Sequence, residues 1–120
     1  MIFARNANIP RRIIKTIEGL DLQGEVGLKP MISGDEMVML EIDYPAGSGS
    51  PPHVHQHESL AYVLQGRVKM VVGEESFILN AGDACRHPKG VKHGVEAIES
   101  SIILEIKSPV EALEQFLGTE

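Results

Sequence analysis

The sequence predicts an all-β domain, a sandwich or barrel followed by a short C-terminal helix, and three features carry that expectation. Apolar runs of about five to eight residues recur between Gly, Pro, Asn and Asp signals. Several runs alternate apolar and polar positions, as half-buried strands do. One clear helix signature stands at the C-terminal end.

In chain order, the first expected strand, Arg12–Ile17, follows Pro10 and stops before Gly19, and the second, Val26–Ile32, lies between Gly24 and Gly34. Met37–Tyr44 alternates through Met37-Val38-Met39-Leu40-Glu41-Ile42. Ser59–Leu64 and Val68–Val72 flank Gly66, Phe77–Leu79 ends at Asn80, Ala84–His87 ends at Pro88, and Ile102–Ile106 completes the set. Next, Ser108 reads as an N-cap, Pro109 as a first helical residue and Glu111 as a capping-box glutamate, so a helix is expected to about Leu117. Leu113, Phe116 and Leu117 would share one face, packed on the barrel or set against another subunit.

Composition bounds the function. The 120 residues, 42% hydrophobic and 23% charged, fit a single domain over residues 1–120, with no repeat or low-complexity tract. A net charge of −6 with scattered basic residues argues against a nucleic-acid partner. The single cysteine, Cys85, allows no intrachain disulfide, which fits a cytoplasmic location. The start MIFARNANIPRR lacks the apolar core of a signal peptide, and no stretch approaches the roughly 20 apolar residues of a membrane span, so neither secretion nor a membrane partner is expected.

All five histidines lie between positions 53 and 93. If Pro51-Pro52-His53-Val54-His55-Gln56-His57 is extended, then His53, His55 and His57 project from one face. Two imidazoles two residues apart can hold one metal ion, and a third ligand must come from elsewhere. His93 follows a turn fixed by Pro88 and Gly90. A lone histidine is ordinarily a surface or hydrogen-bonded residue, but a pair behind a Pro-Pro entry has no evident packing use.

These residues resemble the two motifs of the cupin superfamily. Gly47, His53, His55 and Gly66 fall in register with the first motif, and Gly82, Pro88, Gly90 and His93 meet the second, with fifteen residues between Gly66 and Gly82. The resemblance implies a double-stranded β-helix, or jelly-roll barrel, holding one divalent ion (Ni, Zn, Mn, Fe or Co) with His53, His55 and His93. Two positions depart from the motifs: the family's glutamate falls on Ser59, with Glu58 one residue out of register, and its final asparagine is Ala97. A serine hydroxyl is a poor ligand beside imidazole, so an open coordination position is expected, with His57 or Ser59 as the candidates for a fourth ligand.

The string HVHQHESLAYVLQG is similar to small bacterial cupins that read HxHxHEQ, some of which open or tautomerise unsaturated uronates. That likeness implies a metal-assisted isomerase, tautomerase or lyase acting on a small carbonyl or sugar acid. A non-haem iron dioxygenase and a non-enzymatic small-molecule binder or sensor are the alternatives. Arg86 and His87 are the catalytic candidates, and alternation places one of them in the cavity. Arg86 would pair with the carboxylate of an anionic ligand; His87 would act as acid or base. Cys85 is expected as a small buried hydrophobe, Tyr62 and Met70 as barrel lining or core, and Glu58 as a solvated strand residue. The resemblance and the open strand edges of a short barrel imply a homodimer, with Arg11 to Ile17 as the segment for pairing or exchange.

Overall fold

Alternation builds the interior. In β3 (Val38–Tyr44), Val38, Leu40, Ile42 and Tyr44 are buried and the residues between them are half-buried. The computed structural model describes residues 2–110 and 113–120. The other strands are β1 (Arg12–Ile17), β2 (Leu20–Ser33), β4 (Gly49–His53), β5 (Glu58–Gln65), β6 (Arg67–Val72), β7 (Glu75–Asn80), β8 (Ala84–His87), β9 (His93–Ala97) and β10 (Ser101–Ser108).

All the pairings are antiparallel. One sheet runs β1-β2-β3-β10-β5-β8, the other β2-β4-β9-β6-β7, and the 14-residue β2 pairs into both. The result is the nearly closed jelly-roll barrel expected. Its core joins Ile14, Val26 and Leu28 to the β3 residues and to Val63, Val68, Met70 and Ile103. No helix among the described residues is long and apolar enough to cross a membrane.

Three expectations change. Strands β4 and β9 were not foreseen, because Pro51-Pro52 and His93-Gly94 carry no strand propensity and the barrel imposes their pairing. Tyr62 is 44% exposed and points outward, since its neighbours Ala61 and Val63 take the inward phase of β5. At the C-terminus, Ser108 does not cap a helix: it remains paired with Glu58 in the sheet, and its hydroxyl donates to the Glu36 carbonyl. The helix is a single 3-10 turn, Leu113–Phe116, whose Phe116 is fully buried. Glu111 and the side chain of Leu113 lie outside the described residues.

Candidate metal centre

Register brings the first two histidines together. His53 and His93 are cross-strand partners in the β4/β9 ladder, just past the irregularity where Pro51 and Pro52, lacking N–H groups, interrupt it. Gly94 permits the approach, because a Cβ there would meet the Pro52 backbone at 2.9 Å. The strand ends at His53, so alternation does not position His55. A loop does, pinned where the Gly90 N–H donates to the His55 carbonyl at 2.9 Å. Ring centroids lie 4.4 Å apart for His53–His55 and His53–His93, and 5.3 Å for His55–His93.

Each ring has an acceptor beside its Nδ1. His53 Nδ1 donates to the Pro51 carbonyl at 2.7 Å, His93 Nδ1 faces the Val91 carbonyl at 3.4 Å, and His55 Nδ1 lies 2.9 Å from Glu18 Oε2. A carbonyl offers no proton, so the first two rings carry theirs on Nδ1 and leave Nε2 as a lone pair. This is how outer partners fix metal-binding histidines. Burial lowers the pKa of His53, and burial with the neighbouring His87 and His53 rings takes His93 down to about 3. Neutral imidazole is the ligating form. Ligand atoms of all three residues lie within 4.8 Å of one another, so small side-chain adjustments close them on one divalent ion. The donor set fits the ion.

Glu18 was not foreseen. It and Gly19 form the two-residue β1–β2 turn, both with positive φ (49° and 77°), and the left-handed backbone at Glu18 is unusual for a long side chain. Burial raises the Glu18 pKa, but the His55 and His57 rings and Lys107 outweigh it and hold the carboxyl at about 2. The Glu-Gly pair between two apolar runs marks the turn in the sequence, though not where its carboxylate points.

Glu105 and Lys107 were missed too. They occupy the inward phase of β10 with Ser101 and Ile103, so the signal was present in the alternation. Lys107 Nζ lies 3.4 Å from Glu105 Oε2 and donates to Ser59 Oγ at 3.2 Å. Burial pushes the Glu105 pKa up, but the Lys107 ammonium and the His87 and His93 rings hold it below the usual carboxylate range. Ser59 Oγ is thus engaged by Lys107. His57 joins Glu18 and His55 in a separate cluster.

Between the two catalytic candidates the structure distinguishes clearly. His87, 3% exposed, faces inward across from Ser59 and stacks on His93 at 4.2 Å. Its Nδ1 is 3.9 Å from Glu105 Oε1 and has no hydrogen bond among the described residues, and burial lowers its pKa. Arg86, one residue earlier, points outward, is 64% exposed and pairs with Glu58 at 2.6 Å. The pairing of Arg86 with a ligand carboxylate in the cavity is therefore corrected: alternation along β8 gives the interior to Cys85 and His87. His53, His55 and His93 share with Glu18, His87, Glu105 and Lys107 a cavity of about 30 Å³, space for roughly two waters.

The Cupin_2 family, a cupin domain, matches residues 40–106, more than half of the chain. The chain belongs to the cupin family. No curated protein matches this cupin. Among solved structures it is similar to KdgF from Halomonas sp. (24% identity, TM-score 0.78, covering 90% of this chain and 94% of that one). It is also similar to a predicted oxalate decarboxylase from Thermotoga maritima (21%, 0.79, 92% and 100%) and an RmlC-like cupin from Shewanella frigidimarina (22%, 0.79, 92% and 92%). These likenesses establish the barrel. The His and Glu clusters make it a metal-binding cupin suited to metal-assisted chemistry on a small molecule.

Proposed function

We propose that this cupin is a metal-assisted isomerase, tautomerase or lyase acting on a small anionic carbonyl or sugar acid, and that it works as a homodimer. One observation carries the reading: the His53, His55 and His93 imidazoles, the first and last kept neutral by burial, share a small cavity with an ionised Glu105, a buried Lys107 and a neutral His87. His53, His55 and His93 would hold the ion, which when bound polarises a substrate carbonyl or hydroxyl oxygen. Glu105 is the base, taking a proton from the atom next to the carbonyl and returning it to a neighbouring one. His87, whose Nδ1 faces Glu105 and has no hydrogen bond among the described residues, flanks that carboxylate as a neutral neighbour. Charge supports an anionic ligand. Glu18 and Glu105 against Lys107 leave the cavity one negative charge, which a divalent ion turns into one positive charge. Lys107 takes over the carboxylate-pairing role that Arg86 cannot fill.

The test is turnover of unsaturated uronates by the metal-loaded protein, followed through loss of their conjugated ultraviolet absorption. Glu105→Gln should retain the metal and lose about 10²–10⁴-fold in kcat. Oxygen consumption with substrate would favour the dioxygenase reading instead, and retained metal without turnover across a panel of small acids would favour a binder.

A further inference from the structure

Outside the three-histidine centre, the β1–β2 turn and the loop before β5 hold a second set of donors. Glu18 Oε2 lies 2.9 Å from His55 Nδ1, and Glu18 Oε1 lies 3.5 Å from His57 Nε2. The His55 and His57 rings stack with centroids 4.5 Å apart and planes 19° from parallel. Ligand atoms of the three residues fall within 4.8 Å of one another. Two donors bound to one ion at about 2.1 Å stand about 3.0–3.4 Å apart, so the cluster is already close to coordination spacing.

His57 gives the independent sign of a ligand. It is 7% exposed, set edge-on to the Phe116 ring with centroids 5.2 Å apart, and apart from the 3.5 Å approach of Glu18 Oε1 to Nε2, which makes no hydrogen bond, neither of its ring nitrogens has a partner among the described residues. A buried imidazole whose nitrogens make no hydrogen bond costs stability unless something else engages them. The backbone at Glu18 points the same way. A left-handed φ of 49° at a glutamate is tolerated in a turn that asparagine or glycine would satisfy more easily, and here it aims a carboxylate at two imidazoles.

We propose that Glu18, His55 and His57 form a second divalent-cation site, of the two-histidine, one-carboxylate type that suits zinc and similar ions. The sites overlap at one ring: a neutral His55 has a single lone pair, on Nε2 for the inner centre or on Nδ1 for the outer cluster. The chain therefore holds one ion at a time, in either of two adjoining positions.

Zinc stoichiometry, measured by equilibrium dialysis and elemental analysis, tests this. Wild type should hold one Zn²⁺ per chain. The double variant His53→Gln, His93→Gln should still hold one, bound at the outer cluster, and adding His57→Gln to it should weaken binding at least tenfold. Conversely, Glu18→Gln with His57→Gln should retain one ion in the inner centre, the glutamine still accepting from His55 Nδ1. Circular dichroism and thermal melting establish that each variant keeps the barrel. If the folded His53→Gln, His93→Gln variant holds no zinc while the Glu18→Gln, His57→Gln variant holds one, the second site does not exist. Loss of zinc from the latter variant alone would instead overturn the inner centre.

Discussion

Cys85 lies on β8 two residues before His87, with its Sγ 3.5 Å from His87 Nε2, a spacing that in another setting would suggest an activated nucleophile. Burial argues otherwise: it, with the nearby Glu105 carboxylate, pushes the thiol up to about 11. At pH 8 only about one molecule in 10³ carries the thiolate, the reactive form. Alkylation of the folded protein by iodoacetamide should therefore be slow at pH 8, rise about tenfold per pH unit towards 11, and speed up on unfolding. Rapid labelling at pH 7 would show an activated thiol. The same residue-scale logic explains what the sequence revealed of the site. The grouping of His53, His55 and His93 was legible because spacing and a Pro-Gly turn single them out. Lys107 and Glu105 were hidden because their charges suggested an outward face, although they share the phase of Ile103.

At the scale of elements, Gly66 shows why a motif glycine matters. It joins β5 to β6 with a φ of 91°, and a Cβ there would run into the Ser101 hydroxyl and the Ser100 carbonyl. Ser101 Oγ accepts from the Arg67 N–H at 3.0 Å, so that contact has no room to yield. Gly66→Ala should destabilise the barrel by about 2 kcal/mol or more, read from the denaturant midpoint. An unchanged midpoint would show that the turn relaxes freely. Seven of the eight expected strand segments were legible to within three residues at each end, because periodicity and turn residues agree there; the exception, β2, starts at Leu20 and is far longer than Val26–Ile32. Strands β4 and β9, which carry two of the three inner histidines, exist through long-range pairing that no local signal announces. Ser108 failed as a cap for the same reason, since the strand beside it offered its backbone better partners.

For the whole molecule, the fold class followed from pattern alone, but the association state depends on surfaces that only the folded barrel defines. β1 is an indifferent candidate for exchange: it pairs with β2, and its other edge is partly covered where the Lys15 N–H donates to the Thr119 carbonyl at 2.6 Å. The outer face of β5 is the better candidate, with Leu60, Tyr62 and Leu64 each 44–51% exposed beside Leu104 and Ile106 of β10. We expect a dimer through this face, and Leu60→Glu with Tyr62→Lys should shift the mass measured by light scattering towards the 13.1 kDa monomer. A wild-type mass that stays at 13.1 kDa over a wide concentration range would contradict it.

The central claim, that these histidines hold a divalent ion, is tested most directly by elemental analysis of the purified chain beside a variant with His53, His55 and His93 all replaced by alanine. The account predicts one divalent ion per wild-type chain. In the triple variant, which loses the His55 ring common to both clusters, it predicts almost none. Stoichiometric metal retained by that folded variant would contradict it.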